Sequence, residues 1–257
     1  MTRTITLVMV VGVGFVSVAG AQTYFEDGFD GPTLDPNWNV MGAGSYSLTG
    51  GDLEFVTEKG GLVYDAEHTI GFPRHLFLVD PGSSLTEWSA VARVRCNTPD
   101  QMYESVSLIA YKDDDNYVRL GYNYGGGGIT NSYLAEYAGN YIEFGVSPRL
   151  THTDYFWIRL DRQGDIYTAY ISPDSTTDPD AVPWTTPGSH YVDLGSSPRV
   201  GIGGWNYGSG PSGELAEFDY FRVGALLYRL TFWATSSRGL IGVDPHAENY
   251  EYPGGER

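Results

Sequence analysis

The chain has 257 residues, of which 41% are hydrophobic and 18% charged, with a formal net charge of −17. That composition belongs to a globular protein rather than a disordered one. So acidic a balance excludes nucleic acid, whose phosphates require clustered Lys and Arg, and excludes docking on anionic lipid.

Residues 1–22, MTRTITLVMVVGVGFVSVAGAQ, carry one charge at Arg3, an apolar run from Ile5 to Val18, and then Ala19-Gly20-Ala21. This is the pattern of a secretory signal peptide; the alternative, an uncleaved anchor helix, has a short run for a bilayer span. The expected location is secreted or at the cell surface, with no membrane insertion after cleavage. From Tyr24 to Asn39, Phe25 and Phe29 are spaced to share one face of a short extended piece, followed by the turn pairs Gly31-Pro32 and Asp35-Pro36. Ser45 to Val56 alternates around Gly50-Gly51-Asp52 and predicts a hairpin. Residues 57–71 are polar and irregular, His75 to Val79 is a short apolar strand, and Trp88 to Cys96 is another. Cys96 is the single cysteine, which suggests an exported bacterial chain that folds by its core without disulfides. Its place in an apolar strand predicts a thiol without function.

Ser107 to Tyr124, SLIAYKDDDNYVRLGYNY, predicts two strands joined by Asp113-Asp114-Asp115-Asn116, residues that bond their own backbone and tolerate a left-handed conformation. Gly125 to Gly128 lacks the GK[ST] ending of a phosphate loop and predicts a hairpin tip. Tyr133 to Val146 turns at Gly139-Asn140, and Tyr155–Asp161 pairs with Asp165–Ser172 through Arg162-Gln163-Gly164. Pro173 to Ser189 reads as a Pro-, Asp- and Thr-rich loop; Tyr191–Leu194, Arg199–Trp205 and Leu215–Val223 read as closing strands. No helical periodicity is long enough for a core helix. The predicted fold class is all-β, an antiparallel two-sheet β-sandwich.

Four stretches in order, EDGFDGPTLDPNW, SLIAYKDDDNYVRLGY, WIRLDRQGDIYTAYISPDS and AEFDYFRV, resemble the concanavalin A-like (laminin-G-like) jelly-roll domains appended to bacterial β-xylosidases and found in other exported proteins. The resemblance covers about residues 24–224. It implies a carbohydrate-binding or accessory module within a larger multidomain protein, not the catalytic unit. One departure stands out: after Ser172-Pro173-Asp174 the family usually has Gly and soon Trp. Here Ser175 replaces the Gly, and an insertion from Thr176 to Pro183 precedes Trp184. The expected layout is a signal peptide at 1–22, the sandwich at 23–224, and residues 225–257 as a partial module resembling a bacterial surface repeat or, alternatively, a terminal hairpin. In that last part Tyr228, Leu230 and Phe232 alternate, as do Ile241 and Val243.

Catalytic patterns are weak. A glycosidase needs two carboxylates flanking one bond, and the nearest match is Glu214-Leu215-Ala216-Glu217-Phe218-Asp219. Strict alternation puts Glu217, Asp219 and Phe221 on one face and Phe218 and Tyr220 on the other. No third carboxylate follows. The histidines are scattered and no GxSxG elbow exists, which argues against Ser/His/Asp catalysis and zinc. If the first and last strands pair, Asp27 and Asp30, beside Glu26, approach Asp219, a donor set that would suit a structural Ca²⁺; solvated carboxylates are the alternative. Sugar binding needs exposed rings beside hydrogen-bonding groups. The candidates are Trp205, Asn206 and Tyr207 in a glycine-rich loop, with Tyr122 and Tyr124 second; the opposing reading is that these rings cover the core. The leading function is a non-catalytic carbohydrate-binding or accessory module of an exported bacterial protein, its partner a polysaccharide or cell-surface glycan. Alternatives are an adhesion domain of a surface protein and, less favoured, a glycoside hydrolase.

Overall fold

Tight turns set the pairing. The computed structural model describes residues 22–62, 75–82, 85–96, 104–125, 128–144, 154–206, 213–226, 231–234 and 241–244. The strands are β1 (Thr23–Asp27), β2 (Asn39–Met41), β3 (Tyr46–Thr49), β4 (Asp52–Val56), β5 (His75–Val79) and β6 (Glu87–Cys96). There follow β7 (Ser105–Asp113), β8 (Asn116–Gly125), β9 (Gly128–Tyr137), β10 (Asn140–Glu143), β11 (Phe156–Gln163) and β12 (Ile166–Ser172). The last are β13 (Thr185–Tyr191), β14 (Arg199–Trp205), β15 (Leu215–Gly224), β16 (Thr231–Ala234) and β17 (Ile241–Asp244). Gly50 and Gly51, at φ 68° and 95°, make the β3–β4 turn, which only glycine enters without strain. The β7–β8 turn is held by the Asp113 carboxylate, which accepts from Asp115 N at 3.1 Å and Asn116 Nδ2 at 2.6 Å. No helix among the described residues is long and apolar enough to cross a membrane.

Two antiparallel sheets result. One runs β13-β12-β11-β6-β15-β4-β3 with β1 also on β15; the other runs β10-β9-β8-β7-β14-β5-β2. Their inner faces make one core, as period-2 alternation requires. Val94, Ile158, Leu160 and Phe218 face Leu108, Ala110, Val118, Leu120 and Ile202 within it. Tyr133 ties the layers by donating to the Tyr167 carbonyl at 2.7 Å. The all-β sandwich expected from the alternation is the fold observed.

Several local expectations change. β13 begins inside the stretch read as loop and ends at Tyr191, where a closing strand was expected to begin, and it carries Pro187. Proline is tolerated there because β13 is an edge strand, and the register against β12 is broken by a bulge between Ala169 and Ile171. Val192 and Leu194 lie beyond the strand but are buried. The β9–β10 turn uses Ala138 and Gly139, both at positive φ, one residue earlier than expected. β16 and β17 pair with each other as a separate two-stranded sheet.

Phe25 and Phe29 do not share a strand face, because β1 ends at Asp27 and Phe29 turns back at φ 55°. Both rings nevertheless pack on Trp38, with centroids at 5.0 and 6.2 Å, and Phe221 approaches the same indole at 4.9 Å. Asp27 fixes this cluster: Oδ1 accepts from Phe29 N and Oδ2 from Trp38 Nε1, each at 2.8 Å. Replacing Asp27 by Ala removes both acceptors and leaves the indole N–H without this partner. The expected cost is about 2–3 kcal/mol, read as a lower urea midpoint; a midpoint unchanged from wild type would contradict the role given to Asp27.

Candidate functional site

β15 changes partners halfway along its length. Residues 215–218 pair with β4 and residues 221–224 with β1, while β6 runs along the other flank. At the changeover the register against β6 slips between Phe218 and Tyr220, so Asp219 is the extra residue of a β-bulge. The bulge resets the alternation. Ala216 and Phe218 face the core before it, Phe221 and Val223 after it. Tyr220 turns outward onto Trp157, at a centroid distance of 5.5 Å. This corrects the strict alternation expected from sequence, which placed Tyr220 with Phe218 and Phe221 with Glu217.

Between the ends of β4 and β1 opens a cleft of about 690 Å³. Its walls include Glu26 and Asp30 from the first strand and its turn, Asp52 from β4, Arg93 and Arg95 from β6, and Tyr155, Trp157, Asp219 and Tyr220. Arg93 pairs with Asp219 through Nη1 and Oδ2. Arg95 grips Glu217 with two nitrogens, Nε to Oε2 at 2.7 Å and Nη2 to Oε1, the bidentate geometry a guanidinium allows. Both guanidiniums lie over the Tyr155 ring, at 4.7 and 4.6 Å from its centroid. Tyr155 donates to Asp52 Oδ1 at 2.8 Å, and Tyr220 donates to Glu26 Oε1 at 2.7 Å. Burial and the Asp52 carboxylate push the Tyr155 phenol well above its ordinary value, so it remains a neutral donor.

The insertion that separates Trp184 from its expected place builds the remaining wall, where Thr177 reaches the cleft. Its shape comes from short side-chain-to-backbone bonds. Asp174, Thr176, Asp178 and Asp180 each donate a backbone N–H to the side chain two residues earlier, at 2.7–3.2 Å. Trp157 Nε1 donates to Thr176 O at 2.8 Å, and Arg222 holds Asp180 at 2.7 Å. Val182 and Trp184 pack outside the first sheet on Val91, Trp157 and Tyr220.

The expected calcium set does not assemble. Asp30 and Asp219 line the cleft, but both Asp27 oxygens are committed to Phe29 and Trp38, and Asp219 is paired with Arg93. A different trio, Asp52, Glu54 and Glu217, brings carboxylate oxygens within 4.8 Å of one another. Those groups already serve Tyr155, Ser47 and Arg95, a poor fit to the six to eight free oxygens that Ca²⁺ takes.

The expected sugar residues are corrected as well. Trp205 and Asn206 are each 1% exposed and Tyr122 is fully buried. The glycines beside Trp205 do not unshield it; they let neighbours close in. A Cβ on Gly203 would stand 2.7 Å from the His75 carbonyl oxygen, and one on Gly204 2.7 Å from the Phe55 ring. Trp205 packs with Leu62, Leu76, Leu78 and Ile109. Tyr122 faces the core against Phe156, at 4.4 Å between centroids. Asn206 pins the chain after β4, giving Nδ2 to Thr57 O at 3.0 Å. Tyr207, the side chain of Tyr124 and residues 1–21 lie outside the described residues. Cys96 is buried and burial pushes its thiol up, so it stays protonated and unreactive. The cleft residues missed from sequence had one signal: Arg93-x-Arg95 places two cations on one face of a strand that proves central.

Burial outweighs Arg93 at Asp219 and raises its carboxyl from 3.8 to about 6. A raised carboxyl stabilises the folded state fully below the unfolded value and loses that contribution as pH rises through the folded one. Measured against Asp219→Asn, wild type is therefore expected to gain about 1–3 kcal/mol as pH falls from about 7 to about 4. Denaturation across that range checks it; a difference that is flat or falls with acid would contradict the burial of Asp219.

No protein-family model matches the chain, and no curated protein matches it. Solved structures do. The GH43 protein BlXynB of Bacillus licheniformis superposes with a TM-score of 0.64 at 19% identity, over 78% of this chain and 39% of that one. A xylan β-1,4-xylosidase of Bacillus halodurans C-125 gives 0.61 at 17% identity, over 77% and 38%. A functionally unknown protein of Saccharomyces cerevisiae gives 0.58 at 18% identity, over 74% and 96%. The chain thus spans about two fifths of the length of the xylosidases it resembles. The likeness is one of fold, and it is to a part of these longer GH43 and xylosidase chains.

Proposed function

We propose that the chain is a non-catalytic, carbohydrate-binding accessory module of an exported bacterial protein, and that its ligand, a neutral polysaccharide, lies in the cleft beside Asp219. The observation that carries this reading is the composition of that cleft. Tyr155 and Tyr220, both partly exposed, supply ring surface, while two guanidiniums and several carboxylates offer donors and acceptors side by side. A hydroxyl-rich, uncharged ring system uses both kinds of partner. The net charge of −17 favours a neutral polymer over an acidic one. Binding rather than cleavage is favoured because Asp219, Glu217 and Asp52 are held by Arg93, Arg95 and Tyr155, whereas glycoside hydrolysis needs an unencumbered acid and base or nucleophile. The fold likeness to part of longer GH43 chains supports a place in a multidomain protein, and the N-terminal segment supports export. A second reading, an adhesion domain of a surface protein, draws on the separate β16–β17 strand pair after the sandwich.

The test is binding of soluble xylo- and gluco-oligosaccharides, followed by intrinsic fluorescence, together with retention on insoluble xylan. Thr177→Trp, at an exposed wall position, fills the cleft without touching the core, and Tyr220→Ala removes a ring. Each is expected to weaken oligosaccharide binding roughly tenfold with the fold intact, and no reducing sugar should appear. Unaltered binding in both variants would move the ligand elsewhere; sugar release would make the protein a hydrolase.

A further inference from the structure

Outside the cleft, exposed apolar surface gathers along one edge of the sandwich. There β10 closes the second sheet and β13 closes the first. The two strands are joined by Phe144, whose ring stacks on His190 at 3.6 Å with an interplanar angle of 4°. Along this edge Tyr137, Tyr141, Ile142 and Ile166 are 40–47% exposed and Tyr191 is 71% exposed. These are five of the eight large apolar side chains exposed among the described residues. The other three, Val40, Tyr46 and Val56, lie at the opposite edge and include one ring. Tyr191 stands directly across from Ile166, and Asp165, Asp193 and Tyr137 are near enough to its phenol to act on it electrostatically. Scattered apolar residues need no explanation, but a run with three tyrosines marks a contact surface.

We infer that this tyrosine edge is a second glycan-contact surface, one that lies along the polymer whose segments the cleft holds. The inference rests on the carbohydrate-binding reading above. Three observations favour a polysaccharide as the occupant. Exposed phenol faces stack on pyranose rings, and the carboxylates beside Tyr191 accept hydroxyl donors. A second copy of this chain would bring like acidic groups together across a two-fold contact, against a net charge of −17. Strand addition by a peptide at β13 is impeded because that strand carries Pro187, which has no N–H to give. On the β13 side the edge therefore offers side chains rather than an unbroken backbone ladder.

The probe is insoluble xylan, with depletion isotherms for the full chain and for the double variant Tyr141→Ala/Tyr191→Ala. Neither residue belongs to the cleft or the core, so the urea midpoint should be unchanged. Affinity for the insoluble polymer is expected to fall roughly tenfold, while soluble xylo-oligosaccharide binding stays at the wild-type value. Tyr141→Phe/Tyr191→Trp, which keeps the rings, should restore retention. Equal polymer affinity for wild type and the alanine variant overturns the inference while leaving the cleft reading intact. A sedimentation shift from dimer to monomer in the alanine variant at equal polymer affinity also overturns it, and identifies the edge as a self-association surface. Wild type that binds neither soluble nor insoluble glycan overturns both readings.

Discussion

One residue too many in β15 governs the outer surface of the first sheet. A central strand normally keeps one neighbour on each flank. β15 instead passes from β4 to β1, and Asp219 is accommodated as a bulge against β6 at that point. Two consequences follow from the period of two. Phe221 and Val223 return to the core, where they complete the packing begun by Ala216 and Phe218. Tyr220 is released to the outside, where it meets Trp157 and Glu26. The space left between the two partner strands is the cleft. Its position is thus a product of pairing geometry, and its strand-borne residues have the rigidity of the sheet, while the turns at Gly28–Asp30 and Gly50–Gly51 and the insertion at Thr177 complete its rim.

Charge placement in that seam follows from burial. Asp219 and Glu217 sit on a covered strand, and an unpaired carboxylate there would be costly. Arg93 and Arg95 answer from the neighbouring strand, Arg95 directly opposite Glu217 in the register and Arg93 opposite Tyr220, beside the bulged Asp219. Arginine suits the task because its planar head pairs with a carboxylate and still stacks on the Tyr155 ring. The insertion from Thr176 to Pro183 then covers the flank of the sheet without a secondary structure of its own. Its Asp and Thr side chains satisfy successive backbone N–H groups, and Arg222 anchors it to β15.

Much of the sandwich was legible because most strands keep the alternation of a half-buried sheet. Arg199–Trp205 was delimited to the residue, and the DDDN turn was where its chemistry placed it. The failures have physical causes. β13 was hidden by Pro187 and its Thr and Gly neighbours, which an edge strand tolerates and a central one does not. The Trp205 loop was misread because glycine beside an aromatic has two opposite meanings: an open face, or a neighbour drawn close over it. At Gly203 and Gly204 the second holds. The bulge leaves only a slight mark in the sequence, since strict alternation puts Phe221 on the face of Glu217 and Asp219, and only pairing with β6 shows where the count slips. The cleft was hidden with it, since its two tyrosines and both arginines gain meaning only once β4, β1 and β6 meet on β15.

The central claim is that the changeover on β15 forms the place where a glycan is held. The most direct measurement is a backbone amide map in solution, followed while xylo-oligosaccharide is added. The account requires the shifting amides to concentrate at Glu26–Gly28, Gly50–Asp52, Asp219–Tyr220 and Thr177, the residues that border the cleft. Shifts centred on Trp205 and Tyr122, or a map that does not change at saturating sugar, would contradict it.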